Sequence, residues 1–195
     1  IVSESTVCKP HTDYAKTKLM IEELIKDGSK DKYEYVNIRP TEVYGSNGKG
    51  LIKLINNLMY GNQLLNYIKS CLFNFRPMNL VHVSNVVAAI IFLIFTDKNI
   101  AGETYIVSED DNPLNNYQYV ERYLIDRLKM RHYWISTFPI PPLILSFVLR
   151  FFRRNLVSPY LMYDPSKIIK IGFKYINSFD NGLDDISEWY KRSLK

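Results

Sequence analysis

Strand-like and helix-like patterns alternate along this sequence of 195 residues, and this alternation limits the chain to a small set of folds. Stretches rich in β-branched and aromatic residues predict strands at 32–38, 79–83 and 102–107. Stretches with helical apolar spacing predict helices at 13–28, 51–60, 85–96, 116–129 and 181–193. Strands that alternate with helices favour an α/β fold built in layers.

Other segments are less regular. Residues 64–75 mix apolar and polar positions and suit short strands, and residues 133–135 suit a further strand, whereas Pro165 opens a short helix near 164–170. The segment 85–96 is apolar on nearly every side, so we expect it to be buried, and it is too short to span a bilayer. The apolar run 143–152 is expected to be a helix packed on the body, or alternatively a surface helix that contacts anionic lipid.

The charges and the metal-binding residue types exclude several classes of partner. A formal net charge of +5 suits a polyanionic ligand, but the basic residues are scattered, so we expect no nucleic-acid partner. We also expect no membrane partner. Cys8 and Cys71 have neither CxxC nor Cys/His ligand spacing, and His11, His82 and His132 are isolated in the sequence. We therefore expect no metal site and a cytoplasmic location.

Tyr14 and Lys18 stand four positions apart in the predicted helix 13–28, which puts both on one face. A phenol has an unperturbed pKa of about 10, and a nearby ammonium lowers that pKa. A pair of this kind can make a proton acceptor of a tyrosine. The spacing by itself also fits an ordinary surface pair, because the sequence contains 15 tyrosines.

Five stretches in a fixed order carry a resemblance to a known family. They are Tyr14-x-x-x-Lys18, Arg-Pro-Thr-Glu-Val-Tyr-Gly at 39–45, Leu-Val-His-Val-Ser-Asn-Val-Val-Ala-Ala-Ile at 80–90, Gly-Glu-Thr-Tyr-Ile-Val at 102–107, and Asp-Pro-Ser-Lys at 164–167 followed by Ile-Gly-Phe at 171–173. Together they resemble the extended short-chain dehydrogenase/reductase family, in its NAD-dependent nucleotide-sugar epimerase/dehydratase branch. The resemblance covers nearly the whole chain.

The resemblance implies an α/β fold: the C-terminal part of a Rossmann-type doubly wound sheet, at about 1–45 and 80–107, with a small mixed α/β substrate lobe, at about 46–79 and 108–195. It implies NAD as the cofactor, with NADP as an alternative. It also implies a nucleotide-sugar substrate and a homodimer formed through the helix of Tyr14 and Lys18.

The resemblance also implies roles for individual residues. Tyr14 would exchange a proton with a sugar hydroxyl while C4 exchanges hydride with the nicotinamide, and Lys18 would activate Tyr14 and bind the nicotinamide ribose. Pro40 and Thr41 fall where the family's strand-end loop passes the nicotinamide. Glu42 falls where many members have a substrate-binding Asn, which leaves the sugar open.

Two arginines are candidates for the substrate diphosphate, because a guanidinium fork suits phosphate oxygens. Arg154 stands ten residues before Asp164 and matches a family arginine that binds the nucleotide. Arg76 stands two residues before the position of another family arginine. His82 and Asn85 fall in a family segment that is usually structural.

Two expected parts of such an enzyme have no match in this sequence. The family's Gly-x-x-Gly-x-x-Gly turn, which lets the backbone approach a pyrophosphate, is absent, since Gly45, Gly48 and Gly50 follow the Tyr14 helix instead of preceding it. The catalytic Ser/Thr should precede Tyr14 by about two dozen residues, so no serine or threonine near the N-terminus is assigned. We therefore expect a C-terminal fragment that is inactive alone, a view that the lack of an initial Met supports.

Two alternatives to the nucleotide-sugar enzyme stay open. The chain could be a non-catalytic remnant or binding lobe of the same fold, which the missing glycine turn favours and the Tyr14–Lys18 pair disfavours. It could also be a sterol- or flavonoid-type dehydrogenase of the same superfamily, which the apolar run 143–152 keeps open.

Overall fold

The computed structural model describes residues 1–29, 32–141 and 160–194. Within these residues helices alternate with short strands, as the sequence predicted. The elements are α1 (Asp13–Gly28), β1 (Asn37–Pro40), β2 (Glu42–Tyr44), α2 (Lys49–Tyr60), α3 (Gln63–Phe73), β3 (Leu80–His82), α4 (Val83–Phe95), β4 (Thr104–Val107), α5 (Tyr117–Arg127), α6 (Ser166–Lys170) and α7 (Phe179–Ser193). The predicted helix 143–152 lies outside the described residues.

The four strands form two parallel pairs that meet at Thr41. β1 pairs with β4, from Asn37 opposite Thr104 to Pro40 opposite Val107, and β2 pairs with β3. Between the pairs, the Thr41 amide donates to the Val107 carbonyl oxygen at 3.1 Å. The next amide, that of Glu42, donates to the Asn79 carbonyl oxygen at 2.8 Å. One continuous extended segment therefore changes its hydrogen-bonding partner at this residue.

Two hydrophobic clusters hold these pairs to the helices. The larger joins β2 and β3 to α2, α5 and α7 through Tyr44, Leu51, Ile55, Leu80, Leu124, Leu183 and Ile186. The smaller joins β3, α4, β4 and α6 through Val81, Ala89, Val107, Ile168 and Phe173. Each strand pair is thus covered on a face by helices, which is the arrangement that parallel strands require.

The prediction of short strands at 64–75 was wrong, because this segment forms α3. The side chain of Asn62 accepts from the Leu65 amide at 3.1 Å and caps the helix. The buried positions of α3 are Asn66, Ser70 and Cys71, so the side that faces the core is largely polar. The spacing of apolar residues that predicts a helix is therefore weak in this segment, and the sequence did not indicate α3.

Two other expectations for strands need correction. Residues 133–135 form no strand, and Trp134 is 82% exposed. The strand predicted at 32–38 begins later, at Asn37, because its partner β4 begins only at Thr104.

The helix predicted at 85–96 exists as α4, but the expectation that it is buried was wrong. Asn85, Ala89 and Leu93, spaced four residues apart, are its buried positions. Other apolar side chains of α4 are exposed, among them Ile94 and, at 78%, Phe95. Within the described residues the core covers one side of this helix, and an all-apolar sequence does not reveal which side.

Substitution of Gly182 by alanine is expected to destabilise the fold, although alanine favours helices in general. A Cβ at Gly182 would collide with the Tyr44 hydroxyl and lie 3.0 Å from His82 Cδ2. We expect a loss of about 1–3 kcal/mol in the free energy of unfolding, measured by urea denaturation. The control is Asn181→Ala at the neighbouring exposed position, where the change should stay within about 0.5 kcal/mol. Equal stability of Gly182→Ala and wild type would contradict this packing.

Candidate active site

A cleft of about 1010 Å³ lies at the carboxyl end of β1. Its lining includes five of the predicted site residues, namely Tyr14, Pro40, Thr41, Glu42 and Arg76. The carboxyl ends of parallel strands are where open α/β sheets bind ligands. Residues that lie far apart in the sequence therefore share one ligand-sized space.

Of the other two predicted site residues, Lys18 is not a lining residue. Lys18 is one helical turn from Tyr14, and its Nζ lies 5.6 Å from the centroid of the Tyr14 ring. The Tyr14 side chain is 74% exposed at the cleft. Arg154 lies outside the described residues.

An ion pair connects the helix of Tyr14 to the strand that ends at the cleft. Arg39 Nε donates to Glu22 Oε1 at 3.0 Å, and Arg39 Nη2 donates to Glu22 Oε2 at 2.5 Å. The two side chains are 29% and 24% exposed, and α1 has no buried residue. Hydrogen bonding to Glu22 raises the pKa of Arg39 above its usual value. A bidentate, half-buried pair of this kind is stronger than an exposed one, so it positions α1.

Ser3 and Thr6 also line the cleft, although their short distance from Tyr14 in the sequence had excluded them. The Ser3 amide donates to Thr6 Oγ1 at 3.0 Å, and the Thr6 amide donates to the Ser3 carbonyl oxygen at 3.0 Å. These two hydrogen bonds close a turn at the N-terminus of the described chain. Ser3, Thr6 and Tyr14 therefore line one cleft, which the sequence pattern did not reveal.

The hydroxyl of Thr41 meets one requirement of a cofactor site. Thr41 Oγ1 is buried, yet it has no hydrogen-bond partner among the residues that the structure describes. Thr41 lines the cleft together with Pro40 and Tyr14. A buried polar atom without a partner is costly, so a ligand that bonds to this oxygen would stabilise the site.

The charges on the cleft wall are mostly basic. Lys9, Arg39 and Arg76 are lining residues, with the charge of Arg39 balanced by Glu22, and Glu42 is the acidic one among the described residues that line the cleft. The Glu42 carboxylate lies at the first turn of α2, where a Cβ on Gly50 would be only 2.5 Å from Glu42 Oε1. Helix N-termini stabilise negative charge. The cleft therefore suits an anionic ligand that has a hydrogen-bonding, uncharged part near Glu42.

A buried carboxylate fixes the floor of the cleft. Asp110 Oδ2 accepts from Asn79 Nδ2 at 2.6 Å and from the Tyr163 amide at 2.8 Å. Asn79 and Tyr163 both line the cleft. Burial raises the pKa of Asp110 and that of its neighbour Glu109, while the hydrogen bonds they accept oppose the shift. Asp110 therefore acts on the cleft through the residues it holds in place.

His82 and Asn85 lie behind the site and have structural contacts. Asn85 Nδ2 donates to the Asn177 carbonyl oxygen at 2.9 Å, and Asn85 Oδ1 accepts from the Asn177 amide at 3.0 Å. His82 Nδ1 lies 3.0 Å from Asn177 Nδ2, and burial lowers the pKa of His82. Neither residue lines the cleft. Their contacts with Asn177 stabilise the loop before α7.

The described residues contain no group of histidine, cysteine and acidic side chains that could hold a metal ion. Among the same residues, no helix has the length and apolar character needed to cross a membrane.

Removal of the ion pair at α1 is expected to loosen the helix that carries Tyr14. In Glu22→Gln, amides of α1 should exchange with deuterium about tenfold faster, because the bidentate contact to Arg39 loses its charge. Hydrogen exchange followed by mass spectrometry measures this directly. The control is Glu23→Gln, which changes the neighbouring exposed carboxylate. If both variants exchange like the wild type, the ion pair does not hold the helix.

Comparison with solved structures finds 155 chains of similar fold, among them three nucleotide-sugar enzymes. UDP-glucuronic acid 4-epimerase from Bacillus cereus, solved with NAD, has a TM-score of 0.66 and 18% identity over 100% of this chain and 57% of its own. UDP-glucose 4-epimerase from Thermotoga maritima, solved with UDP-glucose, has a TM-score of 0.67 and 16% identity over 100% and 58%. dTDP-glucose 4,6-dehydratase from Bacillus anthracis, solved with NAD, has a TM-score of 0.61 and 15% identity over 97% and 55%.

At these identities the likeness shows the fold, which is of the Rossmann type, and the predicted fold class is confirmed. The chain spans only 55–58% of the length of these three enzymes. Comparison with curated protein sequences finds no match. A model of the NAD dependent epimerase/dehydratase family, however, matches residues 2–108, more than half of the sequence. The chain therefore belongs to the NAD dependent epimerase/dehydratase family.

Proposed function

We propose that this chain supplies the proton-transfer and substrate-binding half of an NAD-dependent epimerase or dehydratase that acts on a nucleotide-activated sugar. One observation carries the proposal: Tyr14, with Lys18 beside it, shares a cleft with Thr41, Glu42 and Arg76. Family membership and the fold of the three similar enzymes support the same reaction class.

Tyr14 is the acid/base of the proposed reaction. Its phenol projects from the first turn of α1 into the cleft, where a sugar hydroxyl can approach it. The Lys18 ammonium lies 5.6 Å from the ring centroid and stabilises negative charge that develops on the phenol oxygen. Thr6 lines the same cleft, and its hydroxyl would donate a hydrogen bond to the reacting oxygen. The proton moves between the sugar hydroxyl and Tyr14, in either direction.

The cofactor half of the site is only partly contained in this chain. When bound, NAD would supply the hydride acceptor for C4 of the sugar and, in its reduced form, the hydride donor. Thr41 Oγ1 would accept or donate a hydrogen bond at the nicotinamide, with Pro40 packed beside it and Lys18 at the ribose. The glycine-rich turn for the pyrophosphate has no counterpart in the sequence.

The substrate diphosphate is proposed to bind at the basic part of the cleft wall. Arg76 contributes a guanidinium fork that suits phosphate oxygens, and Lys9 adds positive charge. Arg154 is proposed as a second phosphate-binding arginine. Glu42 would accept hydrogen bonds from sugar hydroxyls, where many family members use an amide side chain.

The organisation of the whole protein is part of the same proposal. Residues 1–45 and 80–107 would complete a Rossmann-type sheet, and residues 46–79 and 108–195 would form the substrate lobe. A homodimer through α1 is supported by the exposed apolar side chains of Met20 and Leu24. Both cysteines are free, which suits the reducing cytoplasm.

The chain of 195 residues is expected to bind NAD weakly or not at all and to have no turnover by itself, because it lacks the glycine-rich turn. Isothermal titration of the chain with NAD measures this. A Kd below about 10 µM, or roughly −7 kcal/mol of binding free energy, would contradict it.

Tyr14→Phe is expected to remove most of kcat in an enzyme that joins this chain to a glycine-rich cofactor half. Loss of an acid/base group typically costs about 10²–10⁴-fold in rate. NAD affinity should stay nearly unchanged, since the substitution removes a single oxygen. The matched control is Tyr60→Phe, which alters a tyrosine of similar exposure outside the cleft.

The assay uses UDP-, GDP- and dTDP-sugars as substrates. Normal turnover in Tyr14→Phe would remove Tyr14 from the mechanism. Turnover of a sterol or flavonoid with none of these sugars would favour the related dehydrogenase instead. Absence of every activity in the wild-type enzyme would favour a non-catalytic lobe.

A further inference from the structure

An exposed apolar surface lies on the substrate lobe, formed by the start of α3 and the segment after α5. Gln63, Leu64, Tyr67, Tyr133, Trp134 and Ile135 line a shallow groove of about 190 Å³ there, and we call these six residues the Trp134 surface. Trp134 is 82% exposed, and Ile135 and Leu64 are 67% and 66% exposed. Exposed large apolar side chains that cluster in this way indicate a binding surface.

The Trp134 surface is held in a defined geometry. The rings of Tyr67 and Tyr133 meet edge to face with centroids 5.6 Å apart, and Gln63 Nε2 donates to the His132 carbonyl oxygen at 3.4 Å. The Tyr133 hydroxyl donates to the buried carboxylate of Glu121 at 2.9 Å. The segment that carries Trp134 is therefore anchored to α3 and to the core, and the indole is presented outward from a fixed base.

The charges around the Trp134 surface are mostly basic. The two segments that build it, 63–73 and 127–141, contain four lysines and arginines, Lys69, Arg127, Lys129 and Arg131, as well as His132. Two of these groups contact acidic side chains from outside the segments, Arg127 with Asp184 and His132 with Asp126 at 3.2 Å. The Arg131 guanidinium lies 5.0 Å from the centroid of the Trp134 ring. Basic groups therefore outnumber acidic groups beside this apolar centre.

We propose that the Trp134 surface binds peripherally to the surface of an anionic lipid bilayer. Trp and Tyr prefer the boundary between headgroups and acyl chains, because each has an apolar ring and a polar atom. Basic side chains beside them gain attraction to anionic headgroups. Residues Trp134, Ile135 and Leu64 would enter the boundary while Lys129 and Arg131 contact phosphates.

A second copy of the chain fits this surface less well. A two-fold symmetric interface places the same residues of both copies opposite each other. The basic side chains of the two copies, which outnumber Asp126, would then face one another, and like charges in an interface are costly. The sequence led us to expect no membrane partner; the structure places Arg131 beside the exposed ring of Trp134.

The test uses the 195-residue chain and vesicles of phosphatidylcholine with about one quarter phosphatidylglycerol. The sequence has two tryptophans, so Trp189→Phe leaves Trp134 as the fluorescent reporter. We expect a blue shift of its emission on addition of these vesicles, together with co-sedimentation. Both signals should weaken at high salt, because salt screens the basic side chains. They should also weaken on pure phosphatidylcholine, because those vesicles have no anionic headgroups for the basic side chains to contact.

Three variants assign the contact to this surface by co-sedimentation. Trp134→Ser with Ile135→Ser should abolish binding, and Lys129→Glu with Arg131→Glu should lower it about tenfold or more. The matched control is Phe95→Ser at the end of α4, a similarly exposed aromatic position, which should bind like the wild type. Circular dichroism and thermal unfolding verify that each variant is folded.

Several results would overturn the proposal. One is the lack of a blue shift with anionic vesicles. Another is equal binding of the wild type and the Trp134→Ser, Ile135→Ser variant, which would move the contact to a different segment. A concentration-dependent dimer that this variant abolishes, without vesicle binding by the wild type, would assign the surface to a second copy.

Discussion

The ion pair between Arg39 and Glu22 is the interaction on which the geometry of the candidate site depends. Helix α1 carries Tyr14 and Lys18 but has no buried residue, so hydrophobic packing within the described chain does little to hold it. The bidentate contact, only partly exposed, joins α1 to the end of β1. This contact fixes α1 relative to β1, and Tyr14 of α1 lines the cleft at the end of that strand.

The second constraint is the change of pairing at Thr41. One extended segment pairs first with β4 and then with β3, so Pro40, Thr41 and Glu42 pass the cleft in succession. Asp110 complements this arrangement from below by holding Asn79. The wall of the cleft is thus fixed by the pairing of the strands, and its floor is fixed by the buried carboxylate of Asp110. Both hold the side chains that line the cleft in defined positions.

Prediction from the sequence worked where the local pattern is strong and failed where partners at long range decide. Helix α1 was predicted with its observed bounds, since its cap and its final glycine are local signals. Helix α3 was missed, because its buried positions Asn66 and Ser70 are polar and are satisfied by distant groups such as Glu121. The exposed side of α4 was also missed, because apolar composition does not say which side is covered.

The sequence by itself determined the α/β class, the Tyr14–Lys18 spacing and the order of motifs that marks the family, because each depends on local periodicity or on residue order. Only the tertiary structure decided that Ser3 and Thr6 share the cleft of Tyr14, and that aromatic residues of two separate segments meet at the Trp134 surface. These placements depend on where the chain turns back on itself. Hydrogen bonds and packing between distant residues determine those turns, and no local pattern encodes them.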